Sequence, residues 1–201
     1  NEVLRHPVTV QIGDPAPATT VSHTHFPVPP TLKTPLLLKI LSDTQFASML
    51  IFTRTKHRAR RLSDILLKAG YASTSLQGNL SQSRRQASLD GFRNGKFKIL
   101  VATDIAARGI DVTQISHVIN YDIPATPDAY IHRIGRTGRA TRSGEAYTFV
   151  TGEDKKLVYA INRAIGAKVE QRILPAFNRG EISSNHGCCL QENKNIASKY
   201  S

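Results

Sequence analysis

"MLIFTRTKHRARRLSDILLKAG", residues 49–70, sets two kinds of secondary structure side by side. Met49 to Phe52 is an unbroken apolar run stopped at Thr53, the length of a strand. From Lys56 the period changes. Ala59, Leu62, Leu66 and Ala69 fall on one helical face, while Arg58, Arg61 and Lys68 turn away from it. Gly70 closes the segment as a C-cap. A strand that is apolar on both faces and runs into an amphipathic helix is the unit of a parallel sheet covered by helices.

The same alternation continues in both directions. "YASTSL" (71–76), "KILVAT" (98–103), "HVINYD" (117–122) and "EAYTFV" (145–150) read as strands. "SQSRRQASLDGFRNG" (81–95) reads as a helix with Leu89 and Phe92 stacked and Gly95 ending it. "PDAYIHRI" (127–134) is a short helix. "EDKKLVYAINRAIG" (153–166) is a last helix, expected to bury Leu157, Ala160, Ile161, Ala164 and Ile165. Upstream, "VSHTHFPV" (21–28) is a first strand and "TLKTPLLLKILSD" (31–43) a short helix. The expected fold is α/β, a doubly wound, mainly parallel sheet with helices on both faces over residues 22–174. Residues 1–21 read as a linker and 175–201 as a polar, disordered tail.

The net charge of +12, with a pI near 10.1, points to a polyanionic partner. The tail carries only +1 of it, so +11 belongs to residues 1–174. No apolar run approaches the ~20 residues that span a bilayer, and the amino terminus lacks a signal-peptide pattern. The only cysteines, Cys188 and Cys189, are too close for a disulfide framework. A reducing, cytoplasmic location is therefore expected.

In such a sheet, ligands bind at the carboxyl ends of the strands, and the unusual residues fall there. Arg54 and Lys56 follow the strand at 49–53; the rest of that basic cluster reads as a solvated helix face. In "QGNLSQSRR" (77–85), a glycine after a strand is followed by two arginines in the first turns of a helix, a place suited to a phosphate. The competing reading is a solvated basic face. In "TDIAARGIDV" (103–112), Thr103 and Asp104 sit where a strand stops and offer a hydroxyl and amide N–H groups. Gly109 permits a turn or a close approach. Asp111 offers acceptors for ribose hydroxyls, and Arg108 suits either Asp111 or a phosphate. A plain strand-to-helix loop with a capping Asp reads the same residues equally well. In "HRIGRTGRA" (132–140), continued to Arg142, arginines recur at 133, 136, 139 and 142 around Gly135 and Gly138. Guanidinium forks suit phosphate oxygens, and the glycines let the loop lie against a triphosphate or a facing domain. Arg133 reads either as paired inside the fold or as a boundary contact beside His132.

Together "MLIFTRTK", "QGNLSQSRR", "TDIAARGIDV" and "HRIGRTGRA", in this order, resemble the second RecA-like domain of DEAD-box ATP-dependent RNA helicases, closest to the bacterial RhlE type. The resemblance implies RNA-phosphate contacts at Arg54, Gly78, Arg85, Thr103, Asp104 and Arg108. It implies nucleotide contacts at Gly109 and Asp111, with Arg136 and Arg139 as the catalytic arginines at the γ-phosphate. It places His132 and Arg133 against a facing domain.

The chain has no G-x-x-x-x-G-K-[ST], no Asp-Glu-Ala-Asp and no Ser-Ala-Thr. ATP, with Mg²⁺, is therefore expected to be held by an N-terminal RecA-like domain of the same parent protein, and residues 1–21 to include the exit from it. The expected partners are that domain, RNA, and factors of RNA processing or ribosome assembly. The alternative is a stand-alone, non-catalytic RNA-binding or adaptor module; a kinase-like reading fails for want of a P-loop.

Overall fold

A computed structural model describes residues 21–107, 115–138 and 143–174. In chain order these form β1 (Val21–Pro27), α1 (Lys33–Asp43), β2 (Met49–Phe52), α2 (Lys56–Lys68), β3 (Ser73–Leu76), α3 (Gln82–Arg93) and β4 (Ile99–Ala102). They continue as α4 (Asp104–Ala107), β5 (His117–Asn120), α5 (Pro127–Ile134), β6 (Gly144–Val150), α6 (Lys155–Ile165) and β7 (Glu170–Gln171). Seven strands lie in one sheet in the order β3-β4-β2-β5-β6-β1-β7, and every pairing is parallel. The sheet is thus wholly parallel, and all carboxyl ends of its strands meet at one rim.

The strands at 49–52, 99–102 and 117–120 are buried along their whole length because helices cover both faces. Met49, Ile51, Ile99, Val101 and Ile119 pack with Leu36, Leu37 and Ile40 of α1 and Ala59, Leu62 and Leu66 of α2. Their neighbours Leu50, Phe52, Leu100, Ala102 and Val118 point the other way, onto Phe92 of α3 and Ala106 of α4. A third cluster joins Val21 and Ala146 to Tyr130 and Ile134 of α5 and Ile161 of α6. The period-2 alternation of the strands thus assigns each residue to a layer.

Three expected core residues, Ala69, Ala160 and Ala164, lie outside these clusters, Ala160 being half-buried. Ala69 is exposed because α2 ends at Lys68, past its last contact with the sheet. Ala164 is exposed too. On α6 only Ile161 is fully buried, with Leu157 and Ile165 partly covered, because that helix packs along one narrow stripe beside α5. β7, two exposed residues at the sheet edge, carries no apolar signal and was not expected. The linker and tail expected at 1–21 and 175–201 fall, apart from Val21, outside the described residues. No helix among the described residues is long and apolar enough to cross a membrane.

Candidate functional site at the carboxyl rim

α5 builds the centre of the rim. Pro127 occupies its first turn and Thr126 caps it, accepting from the Ala129 amide at 3.1 Å. Its buried face is Tyr130, Arg133 and Ile134. That periodicity drives the Arg133 guanidinium inward, where it is only 3% exposed. Its Nε donates to Asp104 Oδ1 at 2.6 Å and its Nη2 to Asp104 Oδ2 at 2.8 Å. Its Nη1 donates to Asn120 Oδ1 at 2.9 Å and to the Asp122 carbonyl at 2.8 Å. The guanidinium carbon sits 4.9 Å from the centre of the Phe52 ring, within cation–π range. Arg133 is therefore paired inside the fold, the first of its two readings. Asp104, expected to face a phosphate, turns its carboxylate to Arg133.

After α5, the chain turns on internal bonds. Thr137 is buried and donates its hydroxyl to the carbonyls of Ile115 at 2.6 Å and Ser116 at 3.0 Å. Gly138 follows at φ +67°, a left-handed turn that other residues adopt at a cost. The tightest approach belongs to a glycine that the sequence reading passed over: a Cβ on Gly144 would lie 2.5 Å from the Gly138 amide nitrogen and closer still to the Thr137 hydroxyl. The glycines of this stretch thus have reasons within the chain itself.

This arrangement leaves a cleft of about 110 Å³ lined by Phe52, Asp104, Ala107, Ala129, His132, Arg133 and Arg136. His132 is exposed at its mouth and Arg136 half-buried. Pockets that enclose a whole ligand measure ~300–1,000 Å³, so the cleft is the size of part of a site. Arg108, Gly109, Asp111 and Arg139 lie outside the described residues.

The other half of the rim holds the starts of α2 and α3. Thr55 caps α2 through the Arg58 amide and Ser81 caps α3 through the Arg84 amide. Lys56 Nζ bonds Asn79 Oδ1 at 3.0 Å and ties the two helix starts together. Gln77, itself buried, folds the Gly78 loop by accepting from the Asn79 amide at 2.8 Å, which leaves Gly78 exposed. Arg85 reaches from α3 to the Ala106 carbonyl at 2.9 Å, and Thr103 is half-buried just ahead of α4. Arg54 is exposed, with its amide held by Asp122 Oδ2 at 2.9 Å.

Asp122 is a residue that the sequence reading missed. Only 3% exposed, it also accepts from Arg58 Nη1 at 2.6 Å and meets Lys33 Nζ at 3.4 Å. Burial opposes its ionisation, but the bonds from Arg58 and the Arg54 amide and the charge of Lys33 more than offset this. The carboxyl is held below its ordinary range. Burial pushes the Lys33 ammonium below its own range, against the pull of Asp122. Arg58, expected to be a solvated face residue, instead crosses from α2 to this carboxylate. A lone carboxylate two residues past the strand in "HVINYD" was the available signal.

A wholly parallel sheet with helices on both faces and arginines gathered at its carboxyl rim defines a RecA-like domain of the helicase kind. Residues 32–141 match the helicase conserved C-terminal domain family. The chain belongs to that family, and its relatives place it among the DEAD-box members. It is 44% identical over 143 residues to the ATP-dependent RNA helicase DeaD of Buchnera aphidicola, covering 71% of this chain and 24% of that protein. The chain thus spans about a quarter of that curated relative. Among solved structures, it resembles E. coli DEAD-box protein SrmB bound to regulator of ribonuclease activity A, with a TM-score of 0.71 and 35% identity over 76% of this chain and 90% of that one. It also resembles S. cerevisiae Dbp5 bound to RNA and ADP BeF3, with a TM-score of 0.70 and 33% identity over 77% of this chain and 41% of that one. These relatives carry DeaD, SrmB and Dbp5 names, so the comparisons support the family and not its RhlE type.

Proposed function

We propose that this chain is the half of an RNA-dependent ATPase that grips RNA and completes the nucleotide site. ATP is bound by a facing RecA-like domain, and RNA lies across both. Arg136 and Arg139 reach the phosphates, Gly109 and Asp111 the nucleotide, and His132 the facing domain. Arg54, Gly78, Arg85, Thr103 and Arg108 contact the RNA backbone, so the strand is held without reading its bases. Asp104 acts indirectly, by holding Arg133 and with it the start of the arginine loop.

The cleft between His132 and Arg136 carries this reading. It is too small to enclose a nucleotide, yet cationic residues line a rim open to a second body. The two capped helix starts add amide N–H groups, an arrangement suited to phosphate. Dbp5, similar in fold, was solved with RNA and ADP BeF3, which makes the same ligands the ones to test here. Among the described residues, no three His, Cys, Asp or Glu side chains converge on a metal position. No step is assigned to Mg²⁺ on this chain.

Closure of the two domains around ATP draws the arginines onto developing phosphoryl charge, an effect worth ~10³–10⁵ in rate in comparable systems. The closed pair bends the gripped strand so that its complement leaves, and hydrolysis reopens the cleft. The test is ATP turnover by the isolated chain and by the chain joined to an N-terminal RecA-like domain. The isolated chain is expected to be inactive and the joined protein to be RNA-stimulated. RNA stimulation that never appears in the joined protein contradicts the proposal.

A further inference from the structure

Beside the rim runs a groove of about 610 Å³ that none of the roles above uses. One wall is the outer face of α2, with Lys56, Arg60 and Arg61; across it lie Gln77 and Asn79, and Arg84 at the start of α3. Its floor is β3, through Ser75, and β3 is the edge strand of the sheet.

The charges in the groove are unbalanced. Four cationic side chains face one carboxylate, Asp64. Arg58, on the same helix, pairs with Asp122, but among the described residues Arg60, Arg61 and Arg84 form no ion pair. All three are exposed. Lys56 and Arg60 also stand one turn apart on α2, where like charges destabilise a helix. Such an arrangement is relieved by an anion brought from outside. The lining is otherwise polar, with Leu80 its one large apolar side chain, the imidazole of His57 its one ring, and no Phe, Tyr or Trp. It therefore suits a phosphodiester backbone better than stacked bases or an apolar peptide anchor.

The groove is also continuous with the rim. Lys56 and Asn79, bonded to each other, belong to both the rim and the groove, and Arg84 is the chain neighbour of Arg85. From Lys56 to Asp64 α2 rises ~12 Å, room for roughly three phosphates at stacked spacing.

We propose that this groove is a second RNA contact, in which Arg60, Arg61 and Arg84 take the sugar–phosphate backbone of the strand where it continues beyond the rim. The inference rests on the RNA reading of the rim but concerns different residues, so the two can fail separately.

The test measures fluorescence anisotropy of the full chain with two labelled single-stranded RNAs of mixed sequence across a salt titration. One strand is just long enough to cross the rim; the other is the same strand extended at both ends. The expected result is tighter binding of the extended strand with a steeper salt dependence. The triple variant R60E/R61E/R84E should reduce the extended strand to the affinity of the short one and lower its salt slope by about 2, at ~0.7 per phosphate contact. The short strand should lose much less than the extended one, and R60Q/R61Q/R84Q should act in the same direction more weakly. Equal affinity for both strands in the wild type, or an unchanged difference in the variants, overturns the proposal. So does a polyglutamate peptide that binds the wild type and not the triple variant while the extension adds nothing, since the groove is then a site for acidic peptides. If the short strand fails to bind and the extended one is still held through the three arginines, the groove stands and the rim reading falls. If neither strand binds, both fall.

Discussion

Arg133 and Asp104, 29 residues apart in the chain, meet in a two-pronged ion pair with Nε–Oδ1 at 2.6 Å and Nη2–Oδ2 at 2.8 Å. The pair fastens α5, from which the arginine loop departs, to α4 at the end of β4. Both sides of the cleft are thereby held by one guanidinium, which is buried while its carboxylate partner is about half exposed.

Asp104→Asn should weaken this fastening. A hydrogen bond to a charged group contributes ~1.5–3 kcal/mol, so urea denaturation should show a loss in that range. Arg133→Lys should lose at least as much, because an ammonium cannot reproduce the planar fork or its contact with Phe52. Unchanged stability in both variants would show that the pair holds nothing.

Gly144→Ala places a methyl group against the Gly138 amide and the Thr137 hydroxyl, both fixed by other contacts. Overpacking of this kind costs ~1–3 kcal/mol. The control is Gly152→Ala, where nothing lies within 4 Å of the added carbon and little change is expected. Thermal melts of the two variants should therefore separate clearly.

Asp122 governs the acid limb. Its folded pKa lies below the ordinary carboxylate value of ~3.9. Its contribution to stability is thus complete above that value and is lost as pH falls through the lower folded one. Asp122→Asn should cost about 3 kcal/mol near neutral pH, because Lys33 stays buried without its counter-charge. It should also flatten the acid limb of the stability curve. A variant whose acid limb matches the wild type would refute the assignment.

His25 acts at higher pH. It is fully buried, and among the described residues neither ring nitrogen has a hydrogen-bond partner. Burial, with a smaller effect of His23, lowers its pKa to about 4. Between the unfolded value of ~6.5 and about 4 the unfolded chain binds the extra proton, so stability should fall as pH drops through that window, by up to about 3 kcal/mol. His25→Phe should remove much of this slope. His23 and His117, also lowered by burial, leave a remainder.

The fold was legible because Met49–Phe52 and Ile99–Ala102 are apolar on both faces, and only helices on both sides of a sheet explain that. The helical stripes were legible where they are wide, as in α2, and misleading where narrow, as in α6 with its exposed Ala164. The site was read less evenly. For Arg133 the paired and the boundary readings both stood open, although its place three residues after Tyr130 puts it on the buried face of α5. Lys33 drew no reading and Arg58 read as a solvated residue, because their shared partner, Asp122, lies 64 or more residues away. Local periodicity reports which face of an element is buried. It does not report which distant carboxylate an arginine will meet, nor that Gly144 must clear Thr137.

Under the proposed function, Arg136 and Arg139 act on ATP carried by a second domain. The most direct measurement is RNA-stimulated ATP hydrolysis by a protein that joins this chain to an N-terminal RecA-like domain, with Arg136→Ala and Arg139→Ala compared singly with the wild type. Each variant should lose ~10³-fold or more in turnover while still binding RNA. Near-normal turnover in both variants would contradict the account.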